Sequence, residues 1–590
     1  MAVAGPARLS NARSLQRIES VLGLVLAFIS VVALLWYYAH NELLLYGDAV
    51  AHINIARRVV DNRSWLTSFC QLGTVWLPLP HVAMLPFVWN NVLWQSGIAG
   101  SIPSMVAYVL GGLGIFRLVT GCVPNPRYRR AQNRATTSTS MTHTLRQILA
   151  EDGAPTFIVL PACIATAIYA LNPNLLYMQA TAMNETIFLA FFIWSVVYVE
   201  ELLTALDRFA TGEGPRSLTP EQALERCGIA LAGGAWTRYD GWFTAALMGA
   251  IVVVIVVRWL RRIESRARRR ALTKSLVEFL LLNALVPVFW LAYNYHVSGR
   301  AMDWANGPYS AKAIAQRTTQ RGASPYPGQN NPIAAAQYLL KDAQLNVGNA
   351  TAGRVMLALA LLGTAVVMWR FRRYKVWLLL WLPLIFYALS IGYGSVPIFI
   401  PTWWPFSFYN VRYGLELLPV FAVFPVVFTM FVAAWLRSRR RQLAIWALLV
   451  AVVTTSYLSA WADVPITLRE ARANSRTRMA MEEGLANFLA RIPKGATILM
   501  YQGAHVGALQ RAGIPLKQVI SEVNHPDWEW ALLDPAHKAD YIVAFQGDPV
   551  WMAAREHRSE LNEVMAIIVP EQARCVIYVP TAPPLLPQRP

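Results

Sequence analysis

Residues 20–39 read SVLGLVLAFISVVALLWYYA, twenty residues without Asp, Glu, Lys or Arg, and residues 46–58 follow soon after as YGDAVAHINIARR. A charge-free apolar run of that length spans the hydrocarbon of a bilayer as a helix. Four more charge-free stretches recur at 82–116, 153–184, 376–411 and 442–462. Of the 590 residues, 56% are hydrophobic and 14% charged. A soluble chain carries about 25% charged residues, so an ordinary soluble enzyme is excluded. Five Cys in 590 residues also exclude a disulfide scaffold.

Working outward, apolar runs predict spans near 20–39, 101–119, 155–171, 183–200, 224–238, 242–258, 277–296, 353–369, 376–393, 414–436 and 442–461. The fold class is therefore a polytopic α-helical membrane protein of about eleven transmembrane helices. Residues 79–96, broken by Pro86, Asn90 and Asn91, are read as an interfacial or re-entrant segment. The net charge is +19, but residues 463–590 hold 13 basic and 14 acidic residues, so the whole excess lies in the apolar part. It gathers at helix ends: Arg258 to Arg270, Arg370 to Lys375, Arg437 to Arg441, and Arg127, Arg129, Arg130 and Arg134. Such clusters hold helix ends on the cytoplasmic side. Nucleic acid is not an expected partner.

Eleven spans put residues 1–19 in the cytoplasm and 463–590 on the opposite, exterior side. The transmembrane domain covers 20–462, with long exterior loops at about 40–100 and 297–352. In the second loop, Gly322 to Pro332 (GASPYPGQNNP) has the composition of a mobile lid. The tail has apolar strand runs at 497–501, 541–545 and 575–579 between helical patterns, which predicts a small soluble α/β domain. Gln546-Gly547-Asp548 follows one of these strands, where α/β domains often place ligands. Trp528, Trp530 and Trp551 are read first as core residues. In this topology Cys70 and Cys575 share the exterior side, so a disulfide between them is open.

Asp48, Glu185, Asp240 and Glu416 all fall near exterior helix ends, which suggests one cavity opening on that face. Asp48 and His52 are four residues apart and share a helical face. Asp48 has a second reading as a helix cap, and His52 as an ordinary interfacial residue. His81 has two readings, a residue that meets the site if the interfacial segment folds back, and a headgroup-level residue of the aromatic belt; the second is preferred. Tyr309 and Lys312, in the second loop, have two readings: contact with an acceptor or carrier, and ordinary loop residues, which is the commoner case.

Several motifs lie in a telling order. A carboxylate follows the first span, and then a Pro-rich stretch, Gly73 to His81. Asn172-Pro173 runs through to Met183-Asn184-Glu185. Thr237-Arg238-Tyr239-Asp240-Gly241 comes next, and Arg412-Tyr413-Gly414-Leu415 with Leu418-Pro419 comes late. Taken together, residues 20–460 resemble the membrane-embedded C-type glycosyltransferases, in particular the group of protein O-mannosyltransferases and the lipid A aminoarabinose transferase. The resemblance implies transfer of a sugar from a polyprenyl-phosphate donor to an acceptor hydroxyl of a lipid, glycan or protein, with inversion, at the exterior face.

By the same resemblance Asp48 is the general base. Arg238 and Arg412 are the natural phosphate clamps, because guanidinium binds phosphate oxygens bidentately. A local pair with Asp240 and interfacial snorkelling are their respective alternatives. Glu185, His52, Tyr239 and Tyr413 complete the expected substrate- and phosphate-binding set. Many family members have paired acids at the start of the first loop; here Gly47 precedes Asp48 and Ala49 follows it. Mg²⁺ or Mn²⁺ on Asp48, His52 and Glu185 is conceivable, but no spacing demands it, and no cofactor is assigned. The expected location is a plasma (inner) membrane, as a multi-pass enzyme of the cell envelope. A ligase or polymerase using a pyrophosphate-linked glycan, and a lipid transporter, are the competing functions.

Overall fold

The computed structural model describes residues 6–63, 65–121, 156–210, 218–318, 324–349, 351–370, 372–503 and 505–581. The cluster from Arg127 to Arg134 lies outside them. Helices α1 (Pro6–Ala39), α5 (Ile98–Thr120), α6 (Thr156–Ala170), α8 (Glu185–Ala210), α9 (Pro220–Thr237), α10 (Tyr239–Leu260) and α11 (Arg266–Ser298) occupy seven of the predicted spans. The other four are α13 (Ala352–Arg370), the helical stretch ending in α14 (Leu382–Tyr393), α15 (Leu418–Trp435) and α16 (Arg439–Ala462). Among the described residues, nine helices are long and apolar enough to cross a membrane. The two that fall short are α6, with 15 residues, and α9, whose first turns carry Glu221, Glu225 and Arg226. Both are nonetheless built into the bundle: α9 opens on a capping box of Thr219 and Gln222 and buries its Ala/Gly face. Where α13 crosses α15, a Cβ on Gly363 would lie 1.9 Å from the Phe424 carbonyl oxygen, so only glycine permits that approach.

Alternation down the chain brings the end of α1, the starts of α5, α8, α10, α13 and α15, and the end of α16 to one face. The first long loop crosses that face as α2 (Gly47–Val60), α3 (Leu79–Val88) and α4 (Asn91–Ser96). The interfacial segment is thus two short helices, separated where Asn90 caps α4 through the Val92 and Leu93 amides. His81 is fully buried on α3, which corrects the headgroup-level reading: α3 packs against α2 and turns His81 inward.

A short helix α7 (Pro173–Met178) follows α6 and is capped by Asn172. The second long loop holds α12 (Pro332–Val347). Its glycine- and proline-rich stretch is tied down in the described part. The Tyr326 hydroxyl donates to the Ile391 carbonyl at 2.9 Å, and the Asn330 amide to Gly392 at 2.8 Å. Gly322 and Ala323 lie outside the described residues.

After α16 the chain enters α17 (Ile466–Leu489), whose first turns are buried against α7 and the Val411–Leu417 turn. A five-stranded sheet follows in the order β2-β1-β3-β5-β4. Its strands are β1 (Ile498–Met500), β2 (Val519–Ile520), β3 (Tyr541–Phe545), β4 (Leu561–Ile567) and β5 (Cys575–Pro580). β1 runs parallel to β2 and β3, while β5 is antiparallel to β3 and β4. The apolar runs of β1, β3 and β5 are central. Edge strands β2 and β4 escape the sequence pattern: one is two residues long, and the other exposes Asn562 through Ala566. Trp528 packs in this domain's core, whereas Trp530 is more than half exposed. Cys70 and Cys575 are both free thiols, so no disulfide joins the two regions.

The C-terminal domain is latched onto the first loop. Arg478 donates to the Leu44 and Leu45 carbonyls at 3.0 and 2.9 Å, and Arg472 bonds Glu42. Helix α18 (Val506–Ala512) lies against α2, where Asn54 donates to Gln510 at 2.7 Å. The Leu516 amide donates to Asp61 at 3.0 Å.

Candidate functional site

At the start of α2, Asp48 does not cap its helix: the N-cap position is Tyr46, with no side-chain cap bond. Its Oδ2 instead accepts from Arg412 Nη2 at 2.8 Å. Arg412 also donates through Nε to Glu185 Oε1 at 2.9 Å and lies 3.8 Å through Nη1 from Glu470 Oε1. Glu185 Oε1 accepts a second guanidinium, Arg238 Nη1, at 3.0 Å. One carboxylate oxygen thus bridges the two arginines.

Arg238 is fully engaged. Its Nε donates to Asp240 at 2.9 Å, Nη1 also to Asn184 at 2.7 Å, and Nη2 to the Tyr387 hydroxyl at 2.8 Å, with Glu416 at 3.3 Å. The Tyr387 hydroxyl lies 2.7 Å from Glu416 and 3.0 Å from Asp240. Tyr413 lies between the arginines, with its ring centre 5.3 Å from Arg238 and 5.1 Å from Arg412. Five carboxylates therefore surround two guanidiniums. Four of them are buried; Asp48 alone is open, with 40% of its side chain exposed.

Local sequence explains how these groups are held. Arg238 is the extended residue between α9 and α10 (φ −150°, ψ 156°), so it projects from a break in two otherwise helical runs. The Arg412 turn is anchored by α12: the Gly414 amide donates to Asp342 at 2.9 Å, and a Cβ on Gly414 would lie 2.6 Å from Asn346 Nδ2. Asn346 in turn receives Asn172 and Asn174 on its carbonyl at 2.9 and 2.8 Å and donates through Nδ2 to the Val411 carbonyl at 2.8 Å, so it bridges the Asn172-Pro173 and Arg412-Tyr413 motifs. Burial pushes the Asp342 carboxyl well above the usual range. Glu470 arrives from α17 and accepts the Tyr46 hydroxyl at 2.7 Å.

Of the predicted site residues, Asp48, Glu185, Arg238, Arg412 and Tyr413 are brought together. His52 sits beside them on α2, but its Nδ1 pairs with His81 Nε2 at 2.8 Å and its ring lies 4.7 Å from that of Trp76. Burial, with lesser help from Arg238 and Arg412, pulls its pKa down to about 3. Tyr239 does not join the cluster. Its ring stacks on Trp304 at 4.3 Å, and its hydroxyl donates to the Val75 carbonyl at 2.7 Å, so it braces the two long loops.

Tyr387 and Glu470 are members that sequence reasoning missed; Tyr46 and Asn184 lie inside the quoted motifs but are not singled out there as site residues. Tyr387 lies in a charge-free run and Glu470 in the tail, and neither has a local spacing that links it to Asp48. The ligand atoms of Asp48, His52 and Glu185 do not converge as a divalent ion requires. Among the described residues, the sole His/Cys/Asp/Glu triad with converging ligand atoms is Asp534, His537 and Glu560, in the C-terminal domain.

The class these features define is a polytopic helical membrane protein whose carboxylate–guanidinium site lies under a C-terminal α/β domain. No family model matches the chain, and no curated protein matches it. Among solved structures, it is similar to ArnT, the lipid A aminoarabinose transferase, from Cupriavidus metallidurans. The form bound to undecaprenyl phosphate has 13% identity and a TM-score of 0.48, over 96% of this chain and 98% of that one. The apo form has 12% identity and a TM-score of 0.48, with the same coverage. An Archaeoglobus fulgidus oligosaccharyltransferase in complex with Zn and sulfate has 11% identity and a TM-score of 0.42, over 94% of this chain and 72% of that one.

Proposed function

We propose that this protein is an integral-membrane glycosyltransferase that moves a sugar from a polyprenyl-phosphate donor to an acceptor hydroxyl, with inversion and with Asp48 as general base. The observation that carries the reading is the state of Asp48. Arg412 holds its Oδ2, while among the described residues nothing donates to its Oδ1, and the side chain is 40% exposed. A base must be oriented and must keep one oxygen for the incoming proton. The neighbouring carboxylates are sequestered, and Asp48 is not.

Polyprenyl phosphate is a stable leaving group, so one base and charge stabilisation suffice; the acid–base carboxylate pair of a glycosidase is unnecessary. Asp48 takes the hydroxyl proton, the hydroxyl oxygen attacks the anomeric carbon, and the bond from that carbon to the phosphate oxygen breaks on the opposite face. The electron pair leaves on polyprenyl phosphate. Arg412 is the arginine suited to that phosphate, because its Nη1 is held only loosely by Glu470. Arg238, with every nitrogen committed, keeps Glu185 and hence Arg412 in place. No step is routed through a metal. On this reading the site faces the exterior of a plasma membrane, which the basic clusters at the opposite helix ends support.

The test is turnover by the purified protein in lipid nanodiscs, supplied with a panel of polyprenyl-phosphate monosaccharides and a membrane extract as acceptor. Release of polyprenyl phosphate and a product of inverted anomeric configuration are expected. Folded protein that releases polyprenyl phosphate from none of the donors, with acceptor present, overturns the assignment.

A further inference from the structure

Arg57 and Arg58 are adjacent on α2 and differ sharply in what they do. Arg57 donates to Asp61, to the Val88 and Trp89 carbonyls and to Asn91, fastening α2 to α3 and α4. Arg58 makes no hydrogen bond or ion pair among the described residues, and its Nε is sealed from solvent. The residue as a whole is half-buried, and sealing even one donor nitrogen away from any acceptor is costly. Burial pulls its pKa down, with Glu522, Tyr309 and Tyr293 as the nearest opposing groups.

Two more buried polar atoms at the same junction lack a partner, Gln71 Oε1 and Gln502 Oε1, and each side chain is only 3% exposed. Gln71, on the first loop, reaches the Val523 carbonyl through Nε2 at 3.5 Å. The Gln502 amide donates to Glu522 Oε2 at 2.9 Å. From the second loop, the Tyr309 hydroxyl meets the Tyr501 hydroxyl. Four pieces of chain therefore converge: the first long loop with its α2, the second long loop, and the segments leaving β1 and β2. Buried unsatisfied polar atoms are few in native proteins, and three at one junction call for a common cause.

The topology points the same way. In the order β2-β1-β3, with all three strands parallel, the chain leaves β1 for β2 and then returns past β1 to β3. Segments leaving the carboxyl ends of β1 and β3 flank a switch point, where open α/β sheets place ligands. Asp548, after β3, is committed to capping the next helix through the Trp551 amide at 2.6 Å. The unpartnered oxygen beside the switch point is therefore Gln502 Oε1, after β1, and Arg58 acts electrostatically on the neighbouring Glu522, after β2. Arg58 is ten residues beyond Asp48 on α2, about 15 Å further along the helix axis.

We propose that this junction binds a sugar carrying a phosphate or carboxylate. Arg58 takes the anion, the Gln71 and Gln502 carbonyl oxygens accept sugar hydroxyls, and Tyr309 and Tyr501 line the wall. Resting on the transferase reading above, the ligand is the part of the acceptor remote from its reactive hydroxyl. Asp48 and Arg58 then mark the two ends of one acceptor track along α2.

Saturation-transfer NMR on the full-length protein in nanodiscs tests this without any donor, so its outcome is independent of whether transfer is observed. The probes are glucose 6-phosphate and glucuronate, with glucose and inorganic phosphate as controls. Both acidic sugars are expected to bind more tightly than either control. Arg58→Gln should weaken them at least tenfold, Gln502→Ala should weaken glucose 6-phosphate but not inorganic phosphate, and Asp48→Asn should leave binding unchanged. If Arg58→Gln fails to fold, Arg58→Lys and Gln71→Ala carry the test. Failure of both acidic sugars to bind the wild type, or unchanged binding to the folded Arg58 variant, overturns the proposal. Inorganic phosphate binding as tightly as the sugar phosphate overturns the sugar component.

Discussion

Replacing Arg238 by Gln removes the one cation that holds Glu185, Asp240 and Glu416 together. Those carboxylates are 1%, 3% and 0% exposed, so water cannot replace the lost guanidinium. The Asn184 side chain and the Tyr387 hydroxyl lose a donor as well. Removing one member of a buried ion cluster typically costs about 3–5 kcal/mol, most of it from charge left uncompensated. An exposed pair would cost about 0.2–1 kcal/mol. The upper range applies here, because Arg238 touches three acids and its own side chain is only 13% exposed.

Chemical unfolding of the detergent-solubilised protein, followed by Trp fluorescence, reads the cost. Adding Glu416→Gln to Arg238→Gln should recover part of it, because one of the orphaned charges is then gone. The coupling between two such neighbours lies in the range of about 0.5–3 kcal/mol. A cost below about 1 kcal/mol for Arg238→Gln, or no recovery in the double variant, refutes the view that charge compensation holds this cluster together.

Asp48→Asn is expected to behave in the opposite way: folded, with near-wild-type stability because the side chain is 40% exposed, yet slowed about 10²–10⁴-fold if it is the general base. Full turnover in that variant removes it from the mechanism. His52, held at a pKa of about 3 by burial, is neutral in the folded state and charged in the unfolded state between about pH 3 and 6.5. The unfolded state then binds more protons, so stability falls as pH drops from about 6.5 toward 3. His52→Gln should flatten that acid limb in a pH series of unfolding midpoints. Gly414→Ala places a methyl 2.7 Å from the Ala343 amide nitrogen. About 1–3 kcal/mol of destabilisation should accompany a loss of turnover, because the same turn aims Arg412; unchanged thermal stability would contradict the packing.

Sequence alone located the membrane helices: eleven spans are predicted and each is helical, although among the described residues nine are long and apolar enough to cross a membrane. Apolar runs longer than a bilayer is thick leave the chain no alternative in lipid, and Pro, Gly and Asn mark where those runs break. It also determined the strands of the C-terminal domain that are buried on both faces, since continuous apolar runs are legible without their neighbours. The site was legible only as a set of ionisable residues at helix ends on one face. Which of them meet was decided by tertiary structure. Glu470 reaches Arg412 across 58 positions of chain, and Tyr387 joins Arg238 and Asp240 of one segment to Glu416 of another. Tyr239 and His52, which carry the same motif signal as their neighbours, turn away to brace a loop and to pair with His81. Local spacing sets which face of a helix a side chain occupies. It holds no record of which other helix, tens or hundreds of residues away, will be packed opposite.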